Sequence, residues 1–154
     1  LVISNKSNTL GIDFARKYKI KTQVVRYKNK NEAEKKIIKC LKKNNIKLIC
    51  LAGFMKILSK NFIKRFKYNI INIHPSLLPK YKGLKTHDRV IKNKDKYSGC
   101  TVHYVSEKLD SGKIIVQKKV KVLKSDTPQS LSKRILIAEN KLYPIAIRKV
   151  LSKN

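Results

Sequence analysis

The sequence predicts an α/β fold, a mostly parallel sheet flanked by helices with an antiparallel pair of strands late in the chain. Three observations carry this. Short β-branched or apolar runs alternate with helically spaced segments through the first half, a six-residue connection joins two later runs, and the chain closes on one long amphipathic segment. A length of 154 residues has room for a single buried core, and an apolar share of 42% excludes wholesale disorder.

The early strand-like runs fall at residues 1–4, 22–26, 48–52 and 70–73, with helical spacing over 10–18, 31–44 and 60–66. In the middle helix Ala33, Ile37, Ile38 and Leu41 share one face and lysines occupy the other, the stripe of a helix lying on a sheet. Strand and helix alternating at this interval imply right-handed βαβ units. Lys47-Leu-Ile-Cys-Leu-Ala52 is apolar on both faces, as expected of a central parallel strand.

The second half changes character. A Pro/Lys/Gly-rich loop over 75–85 leads into a short helix near 86–93. Runs at 100–105 and 113–122 are joined by Glu107-Lys-Leu-Asp-Ser-Gly112, too short for a parallel crossover, so they should pair antiparallel. The last helix is expected to be capped by Asp126 or Thr127, with Pro128 in its first turn. Leu131, Ile135, Ala138, Leu142 and Ile145 follow on one face, and Pro144 inside that pattern should kink it. No internal repeat or linker divides the chain.

Charge is the odd feature. Thirty-eight Lys+Arg against nine Asp+Glu leave a formal +29, which invites a nucleic-acid partner. Only Arg16, Arg26, Arg65, Arg89, Arg134 and Arg148 offer the planar fork that base and phosphate readers favour, and the lysines run from end to end. No basic–aromatic interleaving on a strand suggests a stacking platform. Drift toward Lys, Asn and Ile accounts for the composition better than nucleic acid does, although a non-catalytic basic binding module stays as the rival class. Cys40, Cys50 and Cys100 are an odd, scattered set without Cys-x-x-Cys spacing. They argue against a disulfide framework and against a zinc site, and favour a reducing, cytoplasmic setting. No apolar run approaches the roughly 20 residues of a membrane-spanning helix, so no membrane partner is expected.

Ligands of open α/β sheets bind beyond the carboxyl ends of strands. Ile70-Ile-Asn-Ile-His74-Pro75 ends a strand in polar groups, and Pro75 stops the ladder. Asn72 and His74, two apart, point to the same side. An amide that can donate to a developing oxyanion beside an imidazole that can carry a proton suits acyl transfer. Taken alone, the pair is better explained as a hydrogen-bonded strand end. Asp110, one of nine acids, lies in a tight turn before Ser111-Gly112, where an ordinary turn is the other explanation.

The wider pattern is more specific. Asn72-Ile-His-Pro-Ser-Leu-Leu-Pro79-Lys-Tyr-Lys-Gly83 resembles, almost letter for letter, the signature of folate-dependent phosphoribosylglycinamide formyltransferases. Leu51-Ala-Gly-Phe-Met-Lys-Ile-Leu-Ser59 is similar to that family's folate-side strand and loop. His103 with Leu109-Asp-Ser-Gly112 and Ile114-Ile-Val-Gln117 resembles its third block, and Ala138-Glu-Asn-Lys-Leu-Tyr-Pro144 its late helix. Four blocks stand in the family's order across nearly the whole chain.

The resemblance implies a formyltransferase-type, Rossmann-like fold and formyl transfer from 10-formyltetrahydrofolate to the amine of 5-phospho-ribosylglycinamide in purine biosynthesis, without a metal. Asn72 would bond the formyl oxygen, His74 would shuttle the proton, and Asp110 would sit against His74 and hold its charged form. Met55, Lys56, Ile57 and Leu58 would line the pterin pocket, with Lys56 where the family usually has arginine. Ser106, Glu107, Lys108 and Leu109 would close over the folate, beside Asn72 and Asp110. Glu139 would meet the substrate's amine, His87 would stand near the substrate, and His103 would lend support. Asn140 replaces the histidine that commonly follows the family's glutamate.

Two related families fit less well. Lys80-Tyr-Lys-Gly-Leu-Lys-Thr-His87 stands where methionyl-tRNA formyltransferases have an Arg-Gly-Ala-Ala-Pro-like segment. Pro75 stands where formyltetrahydrofolate deformylases tend to have a second histidine. The family's opening strand and Gly/Ser/Asn-rich phosphate loop, and a strand-bearing tail, have no match. Residues 1–154 are therefore expected to form a single formyltransferase domain, incomplete at both ends, that binds the phosphorylated substrate poorly by itself.

Overall fold

The computed structural model describes residues 1–152. They divide into two compact units, Leu1–Lys47 with Leu58–Lys67, and Leu48–Ile57 with the chain from Tyr68 onward.

In the first unit, β1 (Val2–Ser4) pairs in parallel with β2 (Thr22–Val24), Ile3 opposite Gln23. Helix α1 (Leu10–Lys17) joins them and buries Ile12 and Ala15. Helix α2 (Lys30–Lys43) starts where Asn29 accepts the Glu32 N–H, and it buries Ala33, Ile38 and Leu41, with Ile37 at the margin. Glu34 is buried on the same face, a position that helical spacing assigns to an apolar residue. Its carboxylate accepts both the backbone N–H of Ser59 (2.8 Å) and the Ser59 hydroxyl. The same hydroxyl accepts from Phe62 N and so caps α3 (Lys60–Arg65). Burial of the acid is offset by these bonds.

The second unit holds β3 (Leu48–Leu51), β4 (Asn69–His74), β5 (Tyr97–Tyr104) and β6 (Ile114–Lys121), side by side in that order. β3 and β4 are parallel, whereas β4–β5 and β5–β6 are antiparallel, the latter as the short connection requires. The sheet is thus mixed. Helix α4 (Thr86–Lys92) suggests a crossover, yet β5 enters the sheet at the end where β4 leaves it. Among the described residues β3 has a hydrogen-bonded neighbour on one edge, not the two expected of a central strand, and Cys50 is exposed.

Helix α5 (Pro128–Leu151) packs on this sheet. Thr127 caps it, in a box with Ser130. Its buried stripe is Leu131, Ile135, Leu142, Ala146 and Val150, against Ile71, Val90, Cys100 and Val102. Ala146, not Ile145, continues the stripe, and Ile145 is exposed. The helix runs on through Pro144 because the ring stands on its exposed side, and the carbonyl that loses its partner belongs to exposed Asn140. The Tyr143 hydroxyl reaches the carbonyls of Leu51 (2.7 Å) and Ile71 (3.2 Å), which anchors the helix at the end of β3. No helix among the described residues is long and apolar enough to cross a membrane.

Asp126 closes the start of α5. Burial would raise its pKa, but the Leu123 N–H (2.8 Å), the Ser130 hydroxyl (2.8 Å) and the Arg134 guanidinium (2.8 Å) outweigh it and hold the carboxyl below its usual range. The folded-state pKa therefore lies below the unfolded one, so this stabilisation is complete above about pH 4 and lost as pH falls through the folded value. Asp126→Asn should cost about 1–3 kcal/mol at neutral pH in urea unfolding. Its deficit relative to the parent should shrink as the pH drops below about 4.

Candidate functional site

The polar end of β4 and the turn between β5 and β6 meet in the second unit. Asn72 and His103 are paired residues on the antiparallel strands β4 and β5, and His74 lies opposite Thr101. A register shift between Val102 and His103 re-aims the strand at that point. Asp110 adopts the left-handed conformation (φ 45°), which asparagine and aspartate tolerate better than most residues. Two residues on, a Cβ at Gly112 would stand 1.7 Å from the Tyr104 carbonyl oxygen, so only glycine lets the turn close against β5.

This turn carries the Asp110 carboxylate inward. Its Oδ2 accepts the Gly83 N–H at 2.8 Å and lies 3.5 Å from His74 Nδ1, and its Oδ1 lies 3.7 Å from His103 Nε2. The two histidine distances are longer than hydrogen bonds, and each is an ion pair only where its imidazole is protonated. Side chains of His74 and Asp110 are each 8% exposed, so solvent screens the pair weakly. His74 Nε2 donates to the Tyr81 carbonyl at 2.9 Å, which leaves Nδ1 facing the carboxylate.

His103 is in a different state. Its Nδ1 lies 2.9 Å from the Tyr104 carbonyl, an acceptor, so Nδ1 carries the proton. Burial pulls its pKa below the usual imidazole value, and the Tyr104 bond and Asp110 only partly offset this. In the neutral ring, Nε2 accepts from Asn72 Nδ2 at 3.4 Å. One amide hydrogen of Asn72 is thereby held and the other is left for the cavity.

Asn72, His74 and Asp110 lie on one wall of a cavity of about 800 Å³. Met55, Lys56 and Ile57 line it from the loop after β3, Leu109 and Asp110 from the β5–β6 turn, and Leu136 and Glu139 from α5. The rim is apolar and open to solvent, with Met55, Ile57, Leu84, Leu109 and Leu136 all at least half exposed. Burial raises the pKa of the Glu139 carboxyl. His87, in the first turn of α4, also lines the cavity; its pKa is lowered by burial, and its Nδ1 is buried without a hydrogen-bond partner among the described residues. Among the described residues no group of His, Cys, Asp and Glu is arranged to hold a metal ion.

The sequence-predicted residues are thus not all brought together. Asn72, His74, Asp110, Met55, Lys56, Ile57, Leu109, Glu139 and His87 line the cavity. Leu58 does not; it is buried in the first unit, next to the Ser59 cap of α3. Ser106, Glu107 and Lys108 do not either, because this stretch folds outward, the Ser106 hydroxyl bonding the Lys108 carbonyl (3.1 Å), and all three are exposed. Among the contributors that escaped the sequence are the Tyr81 carbonyl, the Gly83 N–H and the wall residues Leu84 and Leu136. Backbone atoms leave no residue signature. Leu136 could have been found as an apolar residue beside, but off, the buried stripe of α5.

Residues 1–147 match the family model described as Formyl transferase. The chain is 40% identical to a phosphoribosylglycinamide formyltransferase of Haemophilus influenzae, over 96% of this chain and 71% of that protein. It is 42% identical to the human trifunctional purine biosynthetic protein adenosine-3, over 99% of this chain but only 15% of that far longer protein. The crystal structure of phosphoribosylglycinamide formyltransferase from Anaplasma phagocytophilum superposes with a TM-score of 0.91 at 44% identity, over 99% of this chain and 73% of that one. The extent of these matches, with the α/β fold beneath them, shows that the chain belongs to the formyl transferase family, among the phosphoribosylglycinamide formyltransferases.

Proposed function

We propose that this chain carries the transfer centre of a phosphoribosylglycinamide formyltransferase, moving a formyl group from N10 of 10-formyltetrahydrofolate to the amine of 5-phospho-ribosylglycinamide. The convergence of Asn72, His74 and Asp110 on one cavity wall carries this reading. The free thiols of Cys40, Cys50 and Cys100 suit a reducing, cytoplasmic setting.

The amine nitrogen attacks the formyl carbon, and negative charge grows on the formyl oxygen. The free N–H of Asn72 donates to that oxygen, a contact that strengthens as the charge develops. The C–N10 bond then breaks. The proton released by the attacking amine passes to the His74–Asp110 pair and returns to N10, so that tetrahydrofolate leaves neutral at that nitrogen. Half-buried Glu139 accepts hydrogen bonds from the amine and orients it. His87, held toward the neutral ring by burial, stands near the same substrate. Met55 and Ile57, with the backbone around Lys56, supply the apolar wall for the flat pterin, and Leu109 covers it from the turn. Packing by backbone and stem makes the Lys56-for-arginine exchange tolerable. His103 acts through Asn72 as a positioning residue: it accepts one amide N–H and so sets which way the amide faces.

His74→Ala should lower formyl transfer at saturating substrate by about 10²–10⁴-fold, and Asn72→Ala by about 10²–10³-fold. Folate-analogue binding, measured by titration calorimetry, should survive in both. Unchanged turnover would remove those residues from the mechanism. For His103, the ring should titrate by NMR with a midpoint below the usual value of about 6.5. The side-chain amide resonances of Asn72 should move in step with it, since protonated Nε2 can no longer accept. Amide resonances indifferent to that titration would separate His103 from Asn72.

A further inference from the structure

The carbonyl that accepts from His74 Nε2 belongs to a residue in an unusual backbone state. Tyr81 has a φ of 55°, in the left-handed region, where a bulky side chain is disfavoured. Among the described residues it is the only aromatic held there. Such a conformation persists where surrounding contacts over-determine it.

Those contacts come from α4 and the segment after it. The Tyr81 hydroxyl donates to Asp95 Oδ2 at 2.9 Å and accepts from Asn93 Nδ2 at 2.9 Å. The Arg89 guanidinium lies over the Tyr81 ring, 5.1 Å from its centroid, and Arg89 Nη1 donates to the Lys82 carbonyl at 2.7 Å. One residue further, the Gly83 N–H reaches Asp110. Main-chain atoms of residues 81 and 83 therefore grip both His74 and Asp110, and the Tyr81 side chain ties this stretch to α4 and its exit. Tyr81 is not among the residues that line the large cavity.

A neutral imidazole has one ring proton, and the His74 ring faces two acceptors, the Tyr81 carbonyl at 2.9 Å and Asp110 Oδ2 at 3.5 Å. The nearer one keeps the proton on Nε2 and leaves the Nδ1 lone pair beside the carboxylate. A carbonyl turned away would free the proton to move to Nδ1, where Asp110 can accept it. We propose that Tyr81 is a positioning residue: the bonds of its hydroxyl to Asp95 and Asn93 hold the left-handed turn that aims its carbonyl at His74, and so fix which ring nitrogen carries the proton. The effect on turnover rests on the formyl-transfer reading, whereas the effect on the ring does not.

The test is long-range proton–nitrogen NMR of the His74 ring in its neutral form. The parent should carry the proton on Nε2. Tyr81→Phe, which removes one atom and keeps the ring beneath Arg89, should shift population to the Nδ1–H form, and so should Asp95→Ala. Asp95→Asn, which keeps an oxygen acceptor for the hydroxyl, should retain the parent signature. In the transfer assay Tyr81→Phe should lower kcat by about tenfold or more, with KM for the formyl-folate unchanged. A merely structural role would lower the thermal unfolding midpoint and leave the ring alone, so parent-like nitrogen signals in both Tyr81→Phe and Asp95→Ala would overturn the proposal. So would a parent ring protonated on Nδ1. A parent without formyl transfer would count against that reading, and the ring signature would still decide this one.

Discussion

The Asp110 carboxylate meets a backbone N–H and two imidazoles at once, and the polar wall of the large cavity is organised around it. Gly83 N–H fixes one oxygen, which leaves that oxygen beside His74 and the other beside His103. The arrangement rests on backbone geometry more than on side-chain choice. A left-handed residue at Asp110 and the missing Cβ at Gly112 together bring the turn close enough to β5 for the carboxylate to reach inward. With the side chain 8% exposed, its field on both rings is only weakly screened.

Two histidines around one acid do not become equivalent. His74 has acceptors at both nitrogens, the Tyr81 carbonyl and the Asp110 carboxylate. His103 has a carbonyl at Nδ1 but the Asn72 amide nitrogen at Nε2, a donor, and burial pushes it toward the neutral ring. Neighbouring donors and acceptors thus divide proton handling from amide positioning between residues of the same type. Around this polar floor the rim is apolar, so a ligand that covers Met55, Ile57 and Leu136 would also exclude water from the contacts beneath.

The scarcity of acids gives the charge pattern its meaning. Among the nine, Asp110 and Glu139 line the large cavity, Glu34 holds the Ser59 cap of α3, Asp126 holds the start of α5, and Asp95 ties Tyr81 and Lys80 together. A solvated lysine tolerates drift because water serves it, whereas an acid that bonds backbone N–H groups or a guanidinium has a fixed geometric task. The +29 balance is therefore compatible with a small-molecule cavity whose polar wall contains two of the few carboxylates.

Residue pattern by itself determined the alternation of helices and strands, the antiparallel β5–β6 pair, the Thr127 cap and the same-side placement of Asn72 and His74. Each of these depends on neighbours along the chain, through periodicity, capping or a connection too short to cross over. It also marked Asp110 as an acid in a turn, leaving an ordinary turn as the other explanation. It misjudged Ile145, where the stripe continues at Ala146, because a face drawn at helical spacing leaves one-residue choices to packing. It gave no sign of the buried Glu34, of the antiparallel entry of β5 beside β4, or of the outward course of residues 106–108. The meeting of Asp110 with His74 was implied only by the family resemblance, not by periodicity or spacing, and the roles of the Tyr81 carbonyl and the Gly83 N–H and the pairing of His103 with Asn72 came only from three dimensions. Main-chain donors and acceptors are the same in every residue except proline, and which of them faces a given side chain is settled by strand register and turn conformation, not by side-chain chemistry.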